Sequence, residues 1–249
     1  MKTSTLLVAC VVVLLLSFSA TRVQALPRGY SNNGMNYIEG SSDLSRWSCG
    51  IYSDSRDRDV TIRGDDFRFD LVNVMGYVGY DIKPWMILYV TAGGADNTLR
   101  QPALPGEPDR EDSSSAVDVG VGLKFNILDH EIMDPTLFED KIRIDGGVQY
   151  SASSLDDPFR GTEDYSELSA SLTLGVVNDI QGNTLFLPNS IEIFAGGIFS
   201  DFVAGDVDVG SKLGYTAGVD IFYTEKVTIE ASVQGFDTVT VCGAIHLRL

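Results

Sequence analysis

His130, His246, Cys10, Cys49 and Cys242 have the widest chemical reach of any side chains in this chain. A histidine placed against a carboxylate does general acid–base work, and histidines or cysteines at short spacing hold zinc. The two histidines stand far apart in sequence, and neither lies at ligand spacing from a cysteine. The many acids have no placed partner, so the sequence offers no catalytic constellation. Asp206 and Asp208 form a short acidic pair, but the ligand ladder of a calcium loop is missing. No phosphate-cradling glycine motif occurs, and Gly146-Gly147 and Gly196-Gly197 read as places where strands bend or crowd. The chain is therefore expected to be no enzyme, with no metal and no cofactor.

A different kind of order governs the remaining charged residues. Between Val117 and Ile127, valine, leucine, phenylalanine and isoleucine alternate with Asp118, Gly120, Gly122, Lys124 and Asn126. Lys141 to Ser151 repeats the scheme, with Ile142, Ile144, Val148 and Tyr150 set against Arg143, Asp145 and Gln149. From Thr238 to Leu249, Val239, Val241, Gly243, Ile245, Leu247 and Leu249 share one face, while Cys242, His246 and Arg248 share the other. Period two means strands, each with one oily and one wet face. On this reading Asp118, Lys124, Arg143, Asp145, Glu192, Asp220, Glu230, His246 and Arg248 project into a common interior. They form either a paired, hydrogen-bonded plug or the lining of a passage for small solutes, and a narrow barrel favours the plug.

The elements that position them follow from the same pattern. Strands are expected at Arg46 to Ser53, Phe67 to Asp81, Trp85 to Gly94, Ala116 to Ile127, Lys141 to Ser151, Glu167 to Val177, Ile191 to Ser200, Leu213 to Tyr223, Val227 to Gln234 and the closing stretch. That is an all-β, antiparallel, up-and-down transmembrane β-barrel of about ten strands, with eight as the smaller possibility. In the second strand the oily face changes after Leu71, from Phe67, Phe69 and Leu71 to Val72, Val74 and Val78; a β-bulge near Leu71 accounts for this. The polar run Asp54 to Asp59 reads as a solvated loop, Arg100 to Ser115 as a long exposed loop, and Asp156 to Tyr165 and Phe202 to Lys212 as acidic loops. Connections at Ile82 to Pro84 and Thr224 to Lys226 are short, whereas Leu128 to Asp140 and Asp179 to Asn189 are longer links on the same side.

Residues 1–25 have the layout of an export signal: Lys2, an apolar run from Leu6 to Leu16, and a small-residue cleavage site at Val23-Gln24-Ala25. Leu7-Val8-Ala9-Cys10 also resembles a bacterial lipoprotein signal, but it lies inside the apolar run. Residues 26–45 then form a flexible leader and 46–249 the barrel. The net charge is -17, and removing the signal takes away Lys2 and Arg22 but no acid. So acidic a chain is no nucleic-acid binder. Cys49 and Cys242 lie on first and last strands that become neighbours on closure, yet on opposite faces, so two free thiols fit better than a disulfide.

With its signal peptide, Asp81-Ile82-Lys83-Pro84-Trp85 at a hairpin turn, the Val117 to Ile127 alternation and its closing strand, the chain resembles small outer-membrane β-barrel proteins of Gram-negative-type bacteria. Members usually finish on an aromatic residue, and this chain finishes on Leu249. The resemblance implies location in the cell outer membrane, contact with its lipid, and insertion by the barrel-assembly machinery through the C-terminal strand. It implies a structural or surface-interaction role through acidic external loops, with no external ligand specified. The alternative is a narrow porin-like channel for small solutes. A third reading is a secreted soluble β-barrel that turns Val117 to Ile127 inward around an apolar ligand.

Overall fold

The computed structural model describes residues 45–62, 64–101, 110–133, 139–157, 161–180, 188–202, 207–224 and 226–249. Residues 1–44, where the signal peptide, Cys10 and most of the leader are expected, and Asp206 lie outside the described residues. Among the described residues there are eleven strands: β1 (Trp47–Ile62), β2 (Asp65–Lys83), β3 (Met86–Gln101), β4 (Arg110–Met133), β5 (Glu139–Asp157), β6 (Gly161–Asp179), β7 (Ser190–Phe202), β8 (Val207–Val209), β9 (Leu213–Thr224), β10 (Val227–Gly235) and β11 (Val239–Arg248). Ten of them pair antiparallel in chain order, β7 with β9 past β8, and β11 pairs back onto β1, from Ser48 against Arg248 to Ser53 against Gly243, which closes the barrel. Closure removes free sheet edges from the wall. Both β1 and β11 place their termini at one end, called here the terminal end; the other is the far end.

The strands bury one face and expose the other, and the apolar face is the outer one. Val117, Val119, Val121, Leu123 and Ile127 are exposed, and Val117 is 71% so. Asp118, Lys124 and Asn126 between them are buried. The same holds for Val72, Val74, Val78, Tyr80 and Ile82 on β2, Leu172, Leu174 and Val176 on β6, and Val239, Val241 and Leu247 on β11. The soluble-barrel reading, which needs Val117 to Ile127 inside, is thereby corrected. From Val117 to Ile127, at ~3.3 Å per residue and a tilt of ~40°, the apolar band is about 25 Å tall.

Above this band the arrangement inverts. At the far end the outer face is polar, and the inner face becomes an apolar core of Val60, Ile62, Phe67, Phe69, Leu71, Ala95, Leu99, Tyr165 and Val209, with Phe202 against it. Phe69 meets Tyr165 and Phe202 edge-on, with ring centroids 6.2 and 5.8 Å apart. This corrects the bulge near Leu71. Phe67, Phe69, Leu71, Asn73, Met75 and Tyr77 all face inward in one unbroken register with β1, and the register shift in β2 lies instead between Asp81 and Lys83. The oily face changes because the surroundings change, from apolar outside and polar inside to the reverse.

The same inversion corrects the loop assignments. Asp54 to Asp59 is not a loop but the middle of β1, paired residue by residue with β2. Arg100 and Gln101 belong to β3 and Arg110 to Ser115 to β4. Asp156 and Asp157 belong to β5, and residues 161–165 to β6. At the terminal end Leu128 to Met133 continues β4. Charge runs are compatible with a strand when the ladder is intact and inner neighbours such as Val60, Phe67 and Leu99 are buried in a core. The wall is consequently tall on β1 to β6 and short on β9 to β11. Over the short side β8 pairs with the upper part of β1, Val60 with Val209 and Ile62 with Val207, and Val209 enters the core.

Candidate functional site

The interior of the barrel gathers the charged residues that alternation marks. Asp118, Lys124, Arg143, Asp145, Glu192, Asp220, Glu230, His246 and Arg248 are all buried there. At the terminal end the Arg248 guanidinium forks onto the Asp81 carboxylate from β2, and its Nε donates to the Ser45 carbonyl at 2.7 Å. Further in, Arg143 Nη1 donates to Glu192 Oε2 at 2.9 Å, and Asp129 Oδ2 lies 3.6 Å from Arg143 Nη2. Glu192, Asp220 and Glu230 stand side by side, because β7, β9 and β10 pair Glu192 with Asp220 and Asp220 with Glu230. Asn126 donates to Asp145 at 3.1 Å, and Asn73 to Asp118 at 3.1 Å.

His246 sits in a buried chain of hydrogen bonds. Its Nδ1 is 2.8 Å from the Tyr77 hydroxyl and its Nε2 is 3.3 Å from Glu230 Oε2, whose other oxygen accepts from Ser232 at 3.1 Å. Tyr77 and Tyr89 belong to an aromatic inner layer with Tyr52, Met75, Ile87 and Ala244. The Tyr89 hydroxyl donates to Gln149 at 3.1 Å.

A common device makes three of these contacts possible. Each spans from one strand, over a glycine on the next, to a residue on the strand beyond. Tyr77 on β2 crosses Gly50 on β1 to reach His246 on β11; Tyr89 on β3 crosses Gly122 on β4 to reach Gln149 on β5. Arg143 on β5 and Glu192 on β7 meet over Gly175 on β6. A Cβ at Gly50 or Gly122 would collide with the tyrosine ring, and one at Gly175 with the Glu192 carboxylate. These inward glycines are saddles that let long side chains lie across the wall.

Between this polar layer and the far-end core lies Arg58, which alternation does not mark because its polar run reads as a loop. It is 1% exposed, donates from Nη1 to Ser200 at 3.1 Å, and stacks on Phe236 with its guanidinium 3.6 Å from the ring centre. Ser200 in turn donates to Glu167. Asp81, Glu167 and Lys141 were missed as well, although each falls on the inward parity of its strand.

On the outer face of the far end, charges pair across strands. Arg68 Nε donates to Asp57 at 2.7 Å, Arg100 lies 3.3 Å from Asp70, and Lys212 lies 2.9 Å from Asp201. The hydrogen bond and charge of Asp57 hold the Arg68 pKa above the usual arginine range.

The remaining candidates do not join a site. His130 is exposed on the outer face of β4 near the terminal end. Neither Cys49 nor Cys242 is in a disulfide. Cys49 faces outward opposite Leu247, whereas Cys242 faces inward five positions away along β11, ~17 Å at strand rise. Asp208 is exposed on β8, and among the described residues no three His, Cys, Asp or Glu side chains are grouped to hold a metal ion.

No protein-family model matches the chain. No curated protein matches it in sequence. Among solved structures it is similar to the β domain of the Bordetella autotransporter BrkA (11% identity, TM-score 0.41, covering 83% of this chain and 99% of that one). It is also similar to the translocator domain of the autotransporter NalP from Neisseria meningitidis (10% identity, TM-score 0.38, 88% and 92%). The transport unit of AIDA-I from Escherichia coli is a further match (11% identity, TM-score 0.36, 90% and 99%). Likeness at this level carries no activity across, and the fold stands on the chain's own strand pairing. Closed by β11 on β1, apolar outside and charged within, the chain has the up-and-down antiparallel fold of the outer-membrane β-barrel type.

Proposed function

We propose that the protein is a non-enzymatic outer-membrane β-barrel with a plugged lumen, which anchors a rigid polar collar at the cell surface for structural or surface-interaction work. The observation that carries this reading is the inversion along β1, β2, β3 and β6. Exposed Val74 and Val90 suit lipid, whereas buried Phe69 and Leu99 a few residues further on suit a water-surrounded core. An apolar band about 25 Å tall matches the hydrocarbon layer of such barrels. The far end, with the longer strands, is then the external end, and both termini are periplasmic. Outer-membrane lipid contacts the band, and the outward Val239, Val241, Leu247 and Leu249 offer the apolar edge that the assembly machinery receives.

The plug is favoured over the small-solute channel because side chains from opposite walls meet at the far end, where Phe69 of β2 packs on Tyr165 of β6 and Phe202 of β7. Arg58 of β1 reaches Ser200 of β7 beside this core of Phe67, Phe69, Leu71 and Tyr165. A catalytic role finds no support in His246, sealed between Tyr77 and Glu230 at 2% exposure. Reconstitution in planar bilayers tests the reading: a plugged barrel gives no steady conductance. Regular open-channel steps would replace it with the channel.

A further inference from the structure

The closing seam between β1 and β11 is zipped for only part of its height. Its ladder ends at Ser53 against Gly243, yet both strands run on. β1 stays paired to β2 as far as Ile62 against Asp65, and β11 stays paired to β10 as far as Val239 against Gly235. The register would set the next rungs between Ser55 and Val241 and between Asp57 and Val239, and these are not formed. Leu249 N donates across the seam to the Trp47 carbonyl at 3.1 Å. By the two-residue repeat, the main-chain groups of Val241 and Val239 point the same way, and they have no strand partner on that side among the described residues. The gap lies within the upper part of the apolar band, where Val239 and Val241 on one side and Val72 and Val74 on the other are exposed. Main-chain groups facing lipid without partners are costly, so a fixed wall would carry its ladder through this level.

Side chains hold the seam where the ladder does not, and all of them meet the β10–β11 turn. Arg68 of β2 lies across Asp57, donating from Nε at 2.7 Å, and its Nη2 reaches on to Thr238 Oγ1 at 3.3 Å. The Asp59 N–H donates to Asp237 Oδ2 at 3.2 Å. From within, the Arg58 guanidinium stacks 3.6 Å from the centre of the Phe236 ring. Asp237 and Thr238 are exposed, and polar contacts at such a site contribute little each. We propose that the seam above Ser53 and Gly243 is a lateral gate, which parts to open the barrel interior to apolar molecules dissolved in the outer leaflet. The last rung is its hinge, and the contacts at Asp237 and Thr238 are its latch. The rim of four valines lies in lipid and offers nothing to a charged solute. Behind the gate stands inward Cys242, with Ala244 and Tyr52 of the aromatic layer below it. The assignment rests on the reading that this band stands in the membrane with the far end outward.

Cys242 is a built-in reporter. Expressed without residues 1–25, the C49S variant carries it as the one thiol of the chain. In phosphatidylcholine vesicles this protein is treated with pyrene maleimide, which partitions into lipid, and in parallel with a sulfonated maleimide that stays in water. Pyrene maleimide is expected to label Cys242 and the sulfonated reagent to lag behind it. Adding R68A and D237A removes the latch and speeds pyrene labelling at least about fivefold, with the sulfonated rate unchanged. Mobility on unboiled gels reports whether each variant is folded. Hydrogen exchange of the wild-type chain gives a readout free of any variant: the Val239 and Val241 amides exchange faster than those of Ile245 and Leu247, which sit on completed rungs. No pyrene labelling, an unchanged rate in the folded latch variant, equal acceleration of both reagents, or equal protection of the four amides would each overturn the gate. A wild-type chain that does not enter vesicles as a heat-modifiable barrel would remove the membrane reading, and the gate with it.

Discussion

The Glu192 carboxylate lies in the space that a Cβ on Gly175 would occupy. Gly175 stands opposite Arg143 on β5 and Phe194 on β7, so the strand between the two charged residues is bare where they must meet. Replacing Gly175 with alanine forces Glu192 off Arg143, leaving buried charges short of partners. The expected loss is about 3 kcal/mol or more, overpacking and a broken buried pair acting together. Denaturant unfolding in detergent measures it, and the cost of G175A should shrink in an E192A background, where the clash is gone.

Tyr77 and His246 form the second of these crossings. Y77F removes the hydroxyl 2.8 Å from His246 Nδ1 and leaves a buried ring nitrogen without that partner, an expected loss of about 1–3 kcal/mol. H246F in the Y77F background should cost less than H246F alone, because the contact is already gone. Additive losses in unfolding experiments would show that the two residues do not act together.

The inversion along the wall predicts opposite tolerances above and within the apolar band. V121R places a charge on the lipid face near the middle of the band and should lower stability by ~2–4 kcal/mol, or block insertion. D59N, on the exposed outer face of the far end, should stay within about 0.5 kcal/mol of wild type. F69A, inward in the far-end core, should cost ~3–5 kcal/mol through the cavity it leaves. Equilibrium unfolding in lipid or detergent ranks the three variants, and a tolerated F69A would contradict the packed far-end core.

Cys49 and Cys242 face opposite sides of the wall at different heights. The mature protein, prepared without reductant, is expected to show both thiols by intact mass after denaturation in excess maleimide. A mass lacking two labels would indicate a bridge and a different β1–β11 register.

Much of the wall was legible in the sequence because alternation reports burial directly. Val117 to Ile127 and Thr238 to Leu249 take the facing that their pattern predicts, and the nine interior residues fall inside. Length was less legible. Asp54 to Asp59 and Arg110 to Ser115 look like loops because a strand outside the membrane no longer needs an oily outer face. Its inner face was visible in Val60, Ile62, Phe67 and Leu99, but these sit on the parity opposite to the lipid-facing residues, and the change of parity reads equally well as a bulge. Arg58 was hidden by the same misreading. The saddles were hidden for another reason: a glycine's neighbour two strands away depends on register, which spacing along the chain does not give.

The central claim is that this chain closes into a membrane-inserted barrel, and heat modifiability after membrane fractionation tests it most directly. The mature protein is expected in the outer-membrane fraction, with an unboiled band whose mobility differs from that of the boiled one. A protein recovered in the soluble periplasmic or secreted fraction, with the same mobility before and after boiling, would contradict the account.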